Sequence, residues 1–353
     1  MTPHTHRGTG RHLRRLPLLL LLVGLCFGLC LEASGAGGRK KKRTAVRRPK
    51  VGLVLGGGGA KGAAEVGVLK YIEQSGVKID YIAGTSIGSI IGALYSVGYR
   101  AADLDSLFHS QQWISLLTDR DQQSSSRMFT RRDSTLYVFG FPVKHAKNPD
   151  TQRRRTVGLS HGDSIVSLFT TMTRRRGDIN FDRLPIPFRC VAVDLRERKE
   201  VVLRRGNLPK AMRASMAIPG VFKPVEQDSM LLVDGGMLNN LPVDVVKAMG
   251  ADIVIAVDLT QNKRKKSDKK GELWQSLRGK NEGLGAVLSW VLTRPDLNKY
   301  EQNVRQADLY INPELRNCSA ADFKPKKIDY MIKQGEKAGK AALKALKKIK
   351  KQQ

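Results

Sequence analysis

The sequence predicts an α/β fold: one domain with a mainly parallel central sheet flanked by helices on both faces. Three observations predict it. Apolar runs of strand length recur through residues 51–258 and alternate with stretches whose apolar residues repeat at helical spacing, and strands that alternate with helices pair in parallel. Two of these runs enter glycine-containing turns that open a helix, which puts functional groups at the carboxyl end of a sheet. About 315 residues follow the leader, enough for one large core.

Taken in order, residues 1–36 read as an export signal. Arg7, Arg11, Arg14 and Arg15 precede a Leu-rich core over residues 16–31, and Ala33-Ser34-Gly35-Ala36 supplies a small-residue cleavage site. That core is shorter than the roughly 20 apolar residues of a span, and Pro17, Gly24 and Gly28 weaken it. A lipid anchor on Cys26 or Cys30 is disfavoured by the leucine before each. Localisation in the periplasm or cell envelope of a bacterium, or secretion, is therefore expected. Residues 37–50 form a basic linker, 51–323 the catalytic domain and 324–353 a lysine-rich helix. Within the domain, strands are expected at 51–55, 79–84, 188–194, 199–204, 230–234 and 252–258. Helices are expected at 61–75, 87–98, 162–173, 207–216 and 242–249. Residues 118–160 are polar, Arg-rich and without clear period, and read as a loop or lid near the site mouth.

The chemistry concentrates at three strand ends. Val51-Gly52-Leu53-Val54-Leu55 enters Gly56-Gly57-Gly58-Gly59-Ala60-Lys61-Gly62 and then a helix. Consecutive glycines let several N–H groups converge on one point, beside the positive end of the helix dipole, so this is an anion cradle. The anion could be a pyrophosphate or the oxyanion of acyl transfer. Gly57-x-Gly59-x-x-Gly62 fits the dinucleotide fingerprint, but Asp80 opens the second strand where that fingerprint's acid closes it. A Walker loop fails because Lys61 is followed by Gly62 and not by Ser or Thr. The second junction, Gly84-Thr85-Ser86-Ile87-Gly88, places a serine on a sharp strand-to-helix turn, as a nucleophile elbow does. The third, Asp234-Gly235-Gly236, ends an apolar strand with a carboxylate; alone, such a pair more often marks a turn.

A catalytic serine usually takes a histidine as base, and the histidines argue against that here. His4, His6 and His12 lie in the leader, while His109, His145 and His161 all precede Asp234, against the Ser, acid, His order of α/β-hydrolases. A Ser-Asp dyad is the economical reading. Glycine-rich loop, Gly-x-Ser-x-Gly and Asp-Gly-Gly, in that order, together with Ala214-Ser215-Met216-Ala217-Ile218-Pro219-Gly220, resemble the patatin-like phospholipase family over residues 50–260. The resemblance implies Ser86 as nucleophile, Asp234 as proton acceptor, Gly57, Gly58 and Gly59 as oxyanion donors, and Lys61 as electrostatic support. It implies a lipid acyl ester as substrate and no metal or organic cofactor. Lys61 stands where arginine is frequent, which keeps the charge and loses the planar fork. A non-catalytic or dinucleotide-binding envelope module is the alternative.

Formal net charge is +30. Residues 1–50 carry 12 basic and 1 acidic side chain and residues 324–353 carry 11 and 2, so +10 of it lies between them. An anionic membrane surface is the expected partner. Nucleic acid is not, because no aromatic-interleaved basic face, zinc spacing or helix-turn-helix pattern is present. Oligomeric state is left open. At the C-terminus, Ile328, Met331, Ile332, Ala338, Ala342, Leu346 and Ile349 recur at helical spacing. The stripe is expected to pack on the domain through Ala342, with the Lys344 to Lys351 end free for acidic surfaces.

Overall fold

The computed structural model describes residues 47–119, 160–174, 177–260 and 297–353. The chain divides after Arg47 into two units. The first lies, apart from Arg47, outside the described residues, and with it the expected signal and most of the linker; so do 120–159 of the expected lid. Every described strand and helix belongs to the second unit, Arg48–Gln353.

β1 (Val51–Leu55) leads through the glycine run into a 3-10 turn (Gly59–Gly62) and α1 (Ala63–Ser75). β2 (Tyr81–Thr85) is followed by α2 (Ile87–Ser96), α3 (Ala101–Ser110), α4 (Trp113–Thr118) and α5 (Asp163–Thr173). Next come β3 (Asp178–Asn180), β4 (Phe188–Asp194), β5 (Lys199–Leu203), β6 (Arg205–Asn207) and α6 (Leu208–Ser215). The chain ends through β7 (Val225–Gln227), β8 (Met230–Asp234), α7 (Val243–Ala248), β9 (Ile253–Val257), α8 (Leu297–Gln306), β10 (Leu309–Ile311) and α9 (Pro325–Gln352). Each expected strand and helix is present within a few residues. The second strand starts later than expected because Asp80 turns aside to accept the Val51 N–H and the Arg48 guanidinium.

The main sheet runs β10-β9-β1-β2-β4-β8-β7, with β5 on the other edge of β4. β10, β9, β1, β2 and β4 are mutually parallel, and β5, β8 and β7 join antiparallel. Alternation of side chains along β1 sends Val51, Leu53 and Leu55 into one apolar core and Val54 into a second. Helices α1, α2 and α9 cover the first face, and α7 and α8 the second. Helices on both faces follow from that two-sided burial.

The junction on β4 positions the site. β2 pairs with β4 as far as Thr85↔Val191, and β8 takes over with Ala192↔Asp234. Because β5 occupies residues 190–194 along the opposite edge, β2 and β8 share one edge of β4 and end at adjacent rungs.

α9 corrects the expectation of a free tail. Ile328, Met331, Ile332, Leu346 and Ile349 are all buried, each worth about 1.5–3 kcal/mol, so the helix is anchored to its last turn while lysines line its solvent-exposed side. It lies against α1 closely enough that a Cβ on Gly335 would overlap the carbonyl of Ala64, and one on Gly67 that of Ile332. Lys70 of α1 ties the layer together by pairing with Asp105 and Glu336, each at 2.7 Å. Gly335→Ala is expected to cost about 1–3 kcal/mol, read as a lower urea midpoint at unchanged slope. A wild-type midpoint would mean that α1 and α9 can separate freely.

Candidate active site

Ser86 follows β2 with φ 54° and ψ −124°, a left-handed conformation that costs a non-glycine residue about 1–3 kcal/mol. The turn is tight enough to need both flanking glycines. A Cβ on Gly84 would overlap the Gly88 carbonyl, and one on Gly88 the Leu55 carbonyl. Two hydroxyls hold the strained peptide: Ser86 N–H donates to Ser215 Oγ at 2.9 Å, and Ser89 Oγ donates to Ser86 O at 2.6 Å. Ser215 Oγ in turn donates to Val191 O at 2.6 Å, which locks α6 to the rung of β4 where β2 ends.

Ser86 Oγ donates to Asp234 Oδ2 at 2.6 Å. The side chains come from opposite sequence directions onto neighbouring rungs of β4, and each residue is nearly buried, at 6% and 7% exposure. Gly236 N–H donates to the other oxygen, Asp234 Oδ1, at 2.7 Å. Burial lifts the Asp234 carboxyl to about 6, while the bonds from Ser86 and Gly236 hold it back. The described histidines are engaged elsewhere: His161 Nε2 lies 2.6 Å from Lys223 Nζ, and His109 meets Asp105 and Asp329.

The glycine loop departs from expectation at Gly57. Its N–H donates to Asn240 O at 3.1 Å, so it is not a spare oxyanion donor. Its small size serves approach instead: a Cβ there would overlap Asn240 Oδ1 and sit 3.2 Å from Ser86 Cβ. Asn240 Nδ2 also donates to Gly57 O at 3.1 Å, fixing both polar groups of that residue. Gly58 O accepts from Lys61 N–H at 3.3 Å and Ala60 N–H donates to Ala320 O at 2.8 Å. The N–H groups of Gly58 and Gly59 have no partner among the described residues, which leaves two adjacent donors for an anion. The Lys61 charge is felt at the Cys318 thiol. Glu65, in the first turn of α1, is fully buried with neither oxygen partnered among the described residues, and burial lifts its carboxyl well above the usual range. That burial disfavours a negative charge on Glu65.

Asp80, the acid that opens the second strand, lies at the opposite, amino-terminal end of the sheet from the glycine loop and is bound to Arg48. Among the described residues no three His, Cys, Asp or Glu side chains group as metal ligands.

The model of the family described as patatin-like phospholipase matches residues 53–247. The chain belongs to that family. It is 34% identical over 211 residues to an uncharacterized NTE family protein of Mycobacterium tuberculosis, covering 60% of this chain and 49% of that protein. It is 32% identical over 210 residues to the lysophospholipase nte1 of Aspergillus fumigatus, covering 59% of this chain and 12% of that protein. The chain thus spans about half the length of the first of these relatives, and much less of the second. Among solved structures, VipD from Legionella pneumophila is 14% identical with a TM-score of 0.43, over 85% of this chain and 67% of that one. Ser86, Asp234, Ser215 and Asn240 all lie within the family match.

Ser89, Ser215 and Asn240 are the positioning residues that sequence reasoning did not single out. Ser215 sits in the Ala214-to-Gly220 segment and Asn240 six residues after the aspartate, so the only available signal was proximity to a motif. Ser215→Ala would leave the buried Ser86 N–H and Val191 C=O unpaired, at about 1–3 kcal/mol. Urea unfolding together with ester turnover should both register it; wild-type values in both would dismiss Ser215 as a support of the elbow.

Proposed function

We propose that this chain is a serine hydrolase that cleaves lipid acyl esters, with phospholipids or lysophospholipids as substrates, through an acyl-enzyme on Ser86. The observation that carries the reading is the 2.6 Å bond between Ser86 Oγ and Asp234 Oδ2 in a nearly buried pair. Membership of the patatin-like phospholipase family and the similarity to a lysophospholipase support the substrate class.

In this reading the Ser86 hydroxyl proton passes to Asp234 Oδ2 as Oγ bonds to the ester carbonyl carbon. The carbonyl π pair moves onto oxygen, and the N–H groups of Gly58 and Gly59 receive that oxyanion, with Lys61 adding positive charge nearby. Each such donor is worth about 2.7–4 kcal/mol. Collapse restores the carbonyl, breaks the bond to the alcohol, and returns the proton from Asp234 to the leaving oxygen. Water then attacks the acyl-enzyme, its proton going to Asp234 and on to Ser86 Oγ as the fatty acid leaves. A carboxylate near its ordinary pKa of about 4 is a weak base toward a hydroxyl, and one raised toward the operating pH is a better one. Burial supplies that rise at Asp234.

Export to the cell envelope is part of the proposal, on the strength of the residues 1–36 signal, as is attraction to anionic lipid. The lysines at 333, 337, 340, 344, 347, 348, 350 and 351 lie along one helix and face solvent to differing degrees. Because α9 is anchored through Leu346 and Ile349, charge and packing are separable there.

Ser86→Ala should abolish nitrophenyl ester turnover and fluorophosphonate labelling, and Asp234→Asn should lose nearly as much. His161→Ala should stay within about tenfold, or ~1.4 kcal/mol, of wild type. Turnover in folded Ser86→Ala would remove the elbow assignment. Since Asp234 must be ionised to accept a proton, kcat/KM should rise tenfold per pH unit up to about 6 and then level. A limb near 4 would rule out the buried base. Replacing Lys344, Lys347, Lys348 and Lys351 by Gln should weaken co-sedimentation with anionic vesicles while soluble-ester turnover persists. Equal binding of wild type to neutral and anionic vesicles would reduce the lysines to a solvated face.

A further inference from the structure

The glycine loop is gripped at both ends, by parts of the chain eighty residues apart. At its start, Asn240 holds the N–H and C=O of Gly57. At its end, Ala60 N–H donates to Ala320 O at 2.8 Å. Gly59, with φ +59°, lies so close to that carbonyl that a Cβ on it would overlap Ala320. Between the two grips sits Gly58-Gly59, the dipeptide whose N–H groups have no partner among the described residues.

Ala320 is itself held in a small hydrogen-bonded turn. Ser319 N–H donates to Asp322 Oδ2 at 2.7 Å, Ala321 N–H to Ser319 Oγ at 3.2 Å, and Asp322 N–H to Ser319 O at 3.3 Å. On either side the turn is anchored: Cys318 is buried, and Phe323 stacks on Trp113 with ring centroids 5.9 Å apart. Ser319, Ala320 and Ala321 are themselves exposed. A turn that buries so little adds little to the core, yet it makes a direct backbone bond to the loop. It also lies well past residue 247, where the family match ends.

We infer that the Ser319–Asp322 turn positions the oxyanion donors, with Asp322 as the side chain that holds the turn in shape. The inference rests on the hydrolase reading above. An oxyanion donor works only when its nitrogen stands about 2.7–3.1 Å from where the oxygen will be. A glycine pair has wide φ/ψ freedom, so one grip alone would let the two N–H vectors swing. The second grip removes that freedom before substrate arrives, and the gain is realised in the transition state, where the charge develops. Asp322 acts through Ala320 and touches no reacting atom; it is a positioning residue.

The test compares Asp322→Ala with Asp322→Asn in the full chain, using a soluble nitrophenyl ester and active sites counted by end-point fluorophosphonate labelling. Asp322→Ala should lower kcat per labelled site by about tenfold, an order less than removal of a whole donor. KM should stay within about twofold, the pH limb should be unmoved, and the Ala60 amide should lose protection from hydrogen exchange. Asp322→Asn, whose amide oxygen still accepts from Ser319 N–H, should behave as wild type. The inference is overturned if Asp322→Ala keeps wild-type kcat per labelled site, whether or not Ala60 protection falls. It is equally overturned if the loss is matched by a loss of folded protein, or recurs in Asp322→Asn. Wild-type protein that neither turns over the ester nor labels at Ser86 would instead remove the hydrolase reading; wild-type turnover with an intact Asp322→Ala kcat removes the positioning role alone.

Discussion

One edge of β4 is shared by two strands, and the site depends on where one stops and the other begins. β2 pairs through Thr85↔Val191 and β8 through Ala192↔Asp234, so the residue that leaves β2 and the residue that ends β8 meet across a single rung. A two-residue slip of either strand would move its end by about 6.6 Å, beyond any hydrogen bond, and a one-residue slip would turn the functional side chain to the other face. Register is protected because each of β1, β2 and β4 feeds both apolar cores. Packing energy and site geometry are therefore the same constraint.

Local costs at the site are offset by its surroundings. Ser86 stays in a left-handed conformation because Ser215 and Ser89 hold its N–H and C=O, and Ser215 is itself bonded to the Val191 carbonyl that marks the rung. Burial makes Asp234 more basic, and the linkage has a definite sign. Its folded pKa, about 6, lies above the ordinary value of 3.8. The folded state therefore binds the proton more tightly, and stability falls as pH rises between those values. The carboxylate that would serve catalysis above pH 6 is one the fold would sooner keep protonated. Burial likewise disfavours a charge on Glu65, in the first turn of the helix that follows the loop.

What the sequence made legible was the chemistry at strand ends, because that chemistry has a local signature. Gly84-x-Ser86-x-Gly88 encodes a crowded turn, and Asp234 followed by two glycines marks a carboxylate at a strand end. A run of glycines, by contrast, does not say which of its N–H groups are already bonded. Gly57 reads like its neighbours until Asn240 is seen to occupy it. Ser215 stands inside the Ala214-to-Gly220 segment, but nothing local marks its role, since its partners Ser86 and Val191 are distant in the chain. α3 had a readable stripe in Ala101, Leu104, Leu107 and Phe108, whereas β10 is three residues long and α8 buries little but Asn303. In α9 the stripe is readable through Leu346 and Ile349, but the density of lysines around those two residues hid that they pack on the domain.

Sequence similarity and folding cooperativity draw the domain differently. The family match ends at residue 247, yet β9 is hydrogen-bonded along the whole of β1, from Val51↔Ile253 to Leu55↔Val257. Without β9, the strand that delivers the glycine loop would become an open edge, with its N–H and C=O groups unpaired. The end of β9 is fixed in turn: Tyr300 and Tyr310 hydroxyls donate to the buried Asp258 carboxylate, and Asn312 Nδ2 donates to Asp258 O at 2.8 Å and Thr260 O at 3.0 Å. Gly56 N–H donates to Val257 O at 3.0 Å, so that polar cluster bears directly on the root of the loop. β9, β10, α8 and α9 are thus structural parts of the unit that carries the site. A residue's distance from Ser86 along the chain says little about whether the site needs it.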